Sequence, residues 1–235
     1  MIVIPAIDLR GGRAVRLFRG DPEAETEYAT EPVEVAKRFE EDGARRLHLV
    51  DLDAALGTGD NRESVKEIIR TVAIPVQLGG GIRTMEALDT VLAPRMAERA
   101  VLGTAAAANP DFVRDAVAKY DDRIVVAVDV KDGRVMVRGW QEAGPPIEES
   151  IPALTTAGSP RYLVTSIKMD GTMDGPDTEL YERVIELAGD VPVIASGGVR
   201  NAEDVWGLRE LGCEAAVVGK AFYVGTIKLS EVVRG

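Results

Sequence analysis

Two short apolar runs in this chain each end in an aspartate. Ile4-Pro5-Ala6-Ile7-Asp8-Leu9 lies near the start, and Val126-Ala127-Val128-Asp129-Val130 follows 121 positions later (129 minus 8). Two carboxylates that share one pocket can be driven to different pKa values and divide the roles of acid and base. Glycines recur in the same order in both halves. Gly79-Gly80-Gly81 and Gly103-Thr104 are answered by Gly197-Gly198 and Gly219-Lys220. Glycine lets backbone N–H groups close on an anion, and a helix starting there adds a favourable dipole. Two such loop pairs flanking two carboxylates suit an elongated substrate with a phosphate at each end.

Further candidates surround this set. Arg83 and Lys220 stand beside the glycine loops and could add positive charge. Thr165 could donate a hydrogen bond to the substrate, and it reads as the positional echo of Asp51. Asp170, in the segment Thr165 to Pro176, is either a third carboxylate of the site or a turn former. Gly175 of the same segment joins the substrate-binding candidates. Trp140 sits in an expected loop, Gly139 to Pro146, from which an aromatic ring can stack on a heterocycle. The single histidine, His48, lies three residues before Asp51; strand alternation turns it toward the helical layer, in a structural role. One histidine and one cysteine, Cys213, leave no internal disulfide and no expected metal site, and Cys213 reads as buried filler.

The elements that must position these residues follow from the hydrophobic pattern. Strands are expected near 2–7, 46–51, 74–78, 99–103, 123–128, 161–165, 191–195 and 214–218. Amphipathic stretches such as Pro32 to Glu40 fall between them. Asn109-Pro110 and Asn201 look like helix starts, and Gly20 to Thr30 looks like a polar, mobile loop. Eight strand–helix units in two equal halves, about 1–121 and 122–235, predict an α/β chain folded as one (β/α)8 TIM barrel with a twofold internal repeat of half-barrels. An open doubly wound sheet fits the duplication less well. In such a barrel Asp8 and Asp129 end strands 1 and 5, on opposite sides of the mouth.

Composition narrows the function. The chain has 235 residues, 46% hydrophobic and 29% charged, with a formal net charge of −11. That suits one soluble domain and disfavours nucleic acid or an anionic membrane as partner. An anionic ligand must therefore be held by local donors. With no membrane-length run and no secretory leader pattern, a cytoplasmic protein is expected. A barrel of this size can stand alone, so a monomer is expected.

The motifs together resemble the phosphoribosylformimino-aminoimidazole-carboxamide ribotide isomerases of histidine biosynthesis. Ile4-Pro5-Ala6-Ile7-Asp8-Leu9, Leu47-His48-Leu49-Val50-Asp51-Leu52-Asp53, Gly79-Gly80-Gly81-Ile82-Arg83, Ile194-Ala195-Ser196-Gly197-Gly198-Val199 and Val218-Gly219-Lys220-Ala221 carry the resemblance, which spans the chain. It implies an Amadori rearrangement of an aminoaldose to an aminoketose, without metal or organic cofactor. It implies Asp8 as general base at the sugar C2, Asp129 as general acid, and Trp140 stacked on the substrate's base. Three places depart from the family pattern: Ser166 stands where the family usually has aspartate, Asp177 where it usually has asparagine, and Ala93-Pro94-Arg95-Met96-Ala97 replaces the more usual leucine-glycine linker before strand 4. Arg138-Gly139-Trp140 resembles the loop of dual enzymes that also act on phosphoribosylanthranilate. Two further readings compete with the isomerase: the cyclase subunit of imidazole glycerol phosphate synthase, and a non-catalytic phosphosugar-binding barrel.

Overall fold

A computed structural model describes residues 1–19 and 21–232. Its barrel strands are β1 (Ile2–Arg10), β2 (Leu47–Asp51), β3 (Val76–Gly79), β4 (Arg99–Leu102), β5 (Ile124–Lys131), β6 (Tyr162–Ser166), β7 (Val193–Ser196) and β8 (Ala215–Val218). Each pairs in parallel with the next, β8 pairs with β1, and the sheet closes on itself as a (β/α)8 barrel. Parallel neighbours need a crossover, and helices supply it on the outside. The amphipathic stretch Pro32 to Glu40 forms a helix, Pro32–Glu41, with proline at its first turn. Asn109 and Asn201 cap the helices Pro110–Tyr120 and Ala202–Glu210 through their side chains.

Strand alternation sorts the core into two layers. The larger cluster, including Ile7, Leu49, Leu78 and Val128, lies between strands and helices. A smaller one, including Ile4, Val101, Val125, Leu163, Ile194 and Val217, fills the barrel itself. That apolar plug closes the barrel below the residues at the strand ends and keeps water from reaching them from beneath.

Two strands run three residues past their expected ends. β1 continues to Arg10 and β5 to Lys131 because each turns straight back as a hairpin. The turns are Gly11-Gly12 and Asp132-Gly133, all four residues at positive φ, flanked by the paired residues Arg10/Arg13 and Lys131/Arg134. Two-residue turns of this kind match the twist of antiparallel strands. The first hairpin runs through strands Arg13–Phe18 and Asp21–Ala29, the second through Arg134–Val137 and Glu142–Pro146. The expected mobile loop at Gly20 to Thr30 is therefore mostly strand; Gly20 itself lies outside the described residues. Most of the expected loop from Gly139 to Pro146 is likewise a strand.

Candidate active site

The mouth of the barrel holds a cavity of about 230 Å³ whose lining includes Asp8, Asp129, Thr165 and Asp170. A smaller recess opens beside it, walled by Gly197, Gly198, Gly219 and Lys220 and sharing Arg16 and Asp170 with the main cavity. Gly79, Gly80, Gly81, Arg83, Gly103, Thr104 and Trp140 line the main cavity on the other side. Both glycine loop pairs thus border the space between the aspartates. Gly175 alone among the expected residues lines neither. It lies behind Gly198, donating its backbone N–H to the Gly198 carbonyl at 3.0 Å.

The glycines are required by close packing as well as by any ligand. A Cβ on Gly80 would stand 2.2 Å from the Asp51 carbonyl, and one on Gly198 2.1 Å from the Gly175 carbonyl. The halves match in detail, since Gly80 has φ 104° and Gly197 has φ 105°. The flanking cations are engaged by the frame. Arg83 donates to the Ala55 carbonyl at 2.7 Å, and Lys220 to the Gly171 carbonyl at 2.6 Å.

Each hairpin brings one residue to one aspartate. Arg16 donates to Asp8 at 2.9 Å and to Asp170 at 2.6 Å, bridging the two carboxylates. On the opposite side, the side chains of Trp140 and Thr165 stand beside Asp129 and favour its carboxylate form. Thr165 pairs with Asp129 in register, and a tip with Arg138, Gly139 and Trp140 all at positive φ aims the indole. The sequence leads one to expect Trp140 and Thr165 to meet substrate; both line the cavity, and both also stand beside Asp129. Asp170 fills both roles open to it: its N–H closes a turn on the Ser166 carbonyl at 3.0 Å, and its carboxylate enters the cavity.

The electrostatics of the two aspartates differ. Burial pushes both carboxyls above their ordinary range. At Asp8 the Arg16 guanidinium opposes that rise, whereas Asp129 has only neutral donors beside it. Arg16 itself keeps its charge despite burial, because Asp170 and Asp8 both favour it.

His48 corrects an expectation. It points into the barrel and lines the cavity, while Asp51 faces the helices and accepts from the backbone N–H groups of Ala54 and Asn61. The register explains this: Val50 sits beside Asp8 as Thr165 sits beside Asp129, so Val50 and not Asp51 is the counterpart of Thr165. A slip of one residue exchanges the two faces of a strand. Burial, with Arg16 nearby, pushes the imidazole down to about 3, so it is neutral. Asp51 and Asp53 hold Asn61, and Asp53 and Asn61 accept the N–H groups of Gly11 and Gly12 at 2.7 and 2.8 Å. Those aspartates anchor the first hairpin turn. Two of the departures from the family pattern also meet: Ser166 Oγ donates to Asp177 at 2.9 Å. Sequence reasoning misses Arg16, although Gly11-Gly12 is a hairpin signal that folds it back over Asp8.

Among the described residues no group of three or more His, Cys, Asp or Glu side chains could hold a metal, and no helix is long and apolar enough to cross a membrane.

The profile of the family described as "Histidine biosynthesis protein" matches residues 2–228. A protein of Desulforudis audaxviator is 48% identical over 98% of this chain and 89% of its own length. One of Thermus thermophilus is 46% identical over 99% of both chains, and one of Acidothermus cellulolyticus 45% over 97% of this chain and 95% of its own. All three are named 1-(5-phosphoribosyl)-5-((5-phosphoribosylamino)methylideneamino)imidazole-4-carboxamide isomerase. A barrel with two glycine-loop sites around two opposed aspartates, matched at this level along its whole length, belongs to the histidine biosynthesis family and to its carboxamide isomerases.

Proposed function

We propose that the cavity converts the relatives' bis-phosphorylated aminoaldose to its aminoketose, with Asp129 as general acid and Asp8 as general base. The observation that carries the assignment is the asymmetry of the two aspartates. Asp129 is buried with no cation beside it, and burial raises its carboxyl. Asp8 is buried against Arg16, which favours the carboxylate. Protonation of the furanose ring oxygen by Asp129 opens the sugar to an imine. Removal of the C2 proton by Asp8 gives an enol-amine, which tautomerises to the ketose. One proton is given and one taken, so the reaction needs no redox partner.

Gly80, Gly81, Gly103 and Thr104 would hold one phosphate, and Gly197, Gly198, Gly219 and Lys220 the other. In a chain of net charge −11 these local donors must outweigh the global field. The dual-substrate reading gains no support from the geometry: Arg138 is exposed, pairs with Glu142 at 2.7 Å and does not line the cavity.

The test is steady-state kinetics on the aminoaldose with the unaltered enzyme, Asp8→Asn and Asp129→Asn. Each variant is expected to lose about 10³-fold or more in kcat while still binding substrate, in line with the loss of a positioned acid or base. Undiminished turnover by both variants would remove these roles.

A further inference from the structure

Within the barrel, β2 and β3 turn His48 and Gln77 inward. Gln77 is completely buried, and its side-chain nitrogen lies 2.9 Å from His48 Nδ1. Its Oε1 is buried with no partner among the described residues. As placed, the amide leaves one acceptor and one N–H unmade; reversing it would leave both N–H groups unmade, and an N–H is the costlier group to bury without a partner. Arg99, the register neighbour of Gln77 on β4, places a guanidinium on the same sheet face and favours the carbonyl end turned toward the base. An amide N–H directed at Nδ1 makes that nitrogen an acceptor, so the single proton of the neutral ring must sit on Nε2. Nε2 has no protein partner among the described residues, and the ring lines the cavity, whose charged residues are Asp8, Arg16, Arg83, Asp129 and Asp170.

We propose that Gln77 locks His48 as the Nε2–H tautomer, and that His48 donates this hydrogen to an acceptor atom of the substrate's middle portion, setting it beside Asp8. The donation to substrate rests on the isomerase reading; the tautomer lock does not.

His48 is the only histidine in the chain, so 15N-histidine labelling gives one ring to observe. In the free protein the expected spectrum has a protonated Nε2 and a bare Nδ1, unchanged from pH 5 to pH 8. A protonated Nδ1, or a ring that titrates in that range, overturns the proposal whatever the substrate is. Gln77→Leu is expected to give mixed tautomers; an unchanged spectrum would show that Gln77 is not the lock. With the aminoaldose bound to the Asp8→Asn variant, the Nε2–H signal should shift, and a signal that does not move overturns the donor role. In turnover, His48→Phe should raise KM and lower kcat/KM about tenfold, the worth of one hydrogen bond, and His48→Gln should recover most of the loss. Equal loss in both variants would mark His48 as packing alone. Absence of turnover in the unaltered enzyme would instead sink the isomerase reading, and the free-protein spectrum would still decide the lock.

Discussion

Among the described residues, Arg16 is the only cation in direct contact with either central aspartate. Its effect on pH dependence has a definite sign. Asp8 acts as a carboxylate, so activity is present above its pKa and is lost as pH falls through it. Burial already raises that pKa from 3.8, and Arg16 restrains the rise. Arg16→Met removes the restraint, so the acidic limb of the kcat/KM profile is expected to move to higher pH. Once the limb passes neutrality, each further pH unit costs about a tenfold loss of activity at pH 7. A pH titration of the variant checks this, and an acidic limb that stays in place would separate Arg16 from the ionisation of Asp8. Ser166 and Asp177 show another effect at this scale. The family's usual pattern has a carboxylate at the first position and an amide at the second; here the two are a hydroxyl and a carboxylate, joined by a hydrogen bond. One negative charge is kept and merely moves to the other side, where it also caps the helix Thr178–Ala188 and meets Lys168.

At the scale of elements, two glycine substitutions separate packing from ligand approach. Gly80 has positive φ and no room for a Cβ, whereas Gly103 has φ −97° and open space in front of it. Gly80→Ala should therefore lower the melting temperature sharply, with a cost of about 3 kcal/mol or more from clash and strain. Gly103→Ala should keep the fold and raise KM, because the new methyl group stands where a phosphate would approach. Melting curves and KM values for both variants test the contrast; similar melting losses in the two would contradict it. The same scale shows what is legible in the sequence. All eight strands are readable because buried parallel strands are short apolar runs with clear ends. The hairpins are not, because Asp21–Ala29 is acidic and lacks an apolar alternation, even though Gly11-Gly12 and Asp132-Gly133 carry the turn signal. His48 is misplaced for a subtler reason. Asp51 invites a catalytic reading, and fixing its face inward sends His48 outward.

The whole molecule has two ends with different duties. Opposite the mouth, Arg46 pairs with Glu98 at 2.7 Å, and Arg161 grips Glu214 through Nε and Nη2 at 2.5 and 2.9 Å. Each pair ties the start of one even-numbered strand to the start of the next even one, β2 to β4 in the first half and β6 to β8 in the second. These arginines are nearly buried, with side-chain exposures of 12% and 11%, so the pairs are worth more than exposed ones. Arg161→Ala should cost roughly 1–3 kcal/mol of stability, since it leaves Glu214 without its charged donor. It should leave kcat/KM unchanged, because the chemistry depends on the opposite face of the barrel. Denaturant melts alongside kinetics check both halves of this prediction, and a changed kcat/KM would mean that the base and the mouth are coupled.

The near-twofold backbone of the cavity carries one more consequence. A substrate with a phosphate at each end can enter such a cleft head first or tail first, and the glycine loops alone would accept both. The two hairpins, one bearing Arg16 and the other Trp140, tell the ends apart. They give the enzyme its polarity. Any change that makes the hairpins more alike would let molecules sit backwards, occupying the cleft without reacting, and would lower kcat and KM in the same proportion.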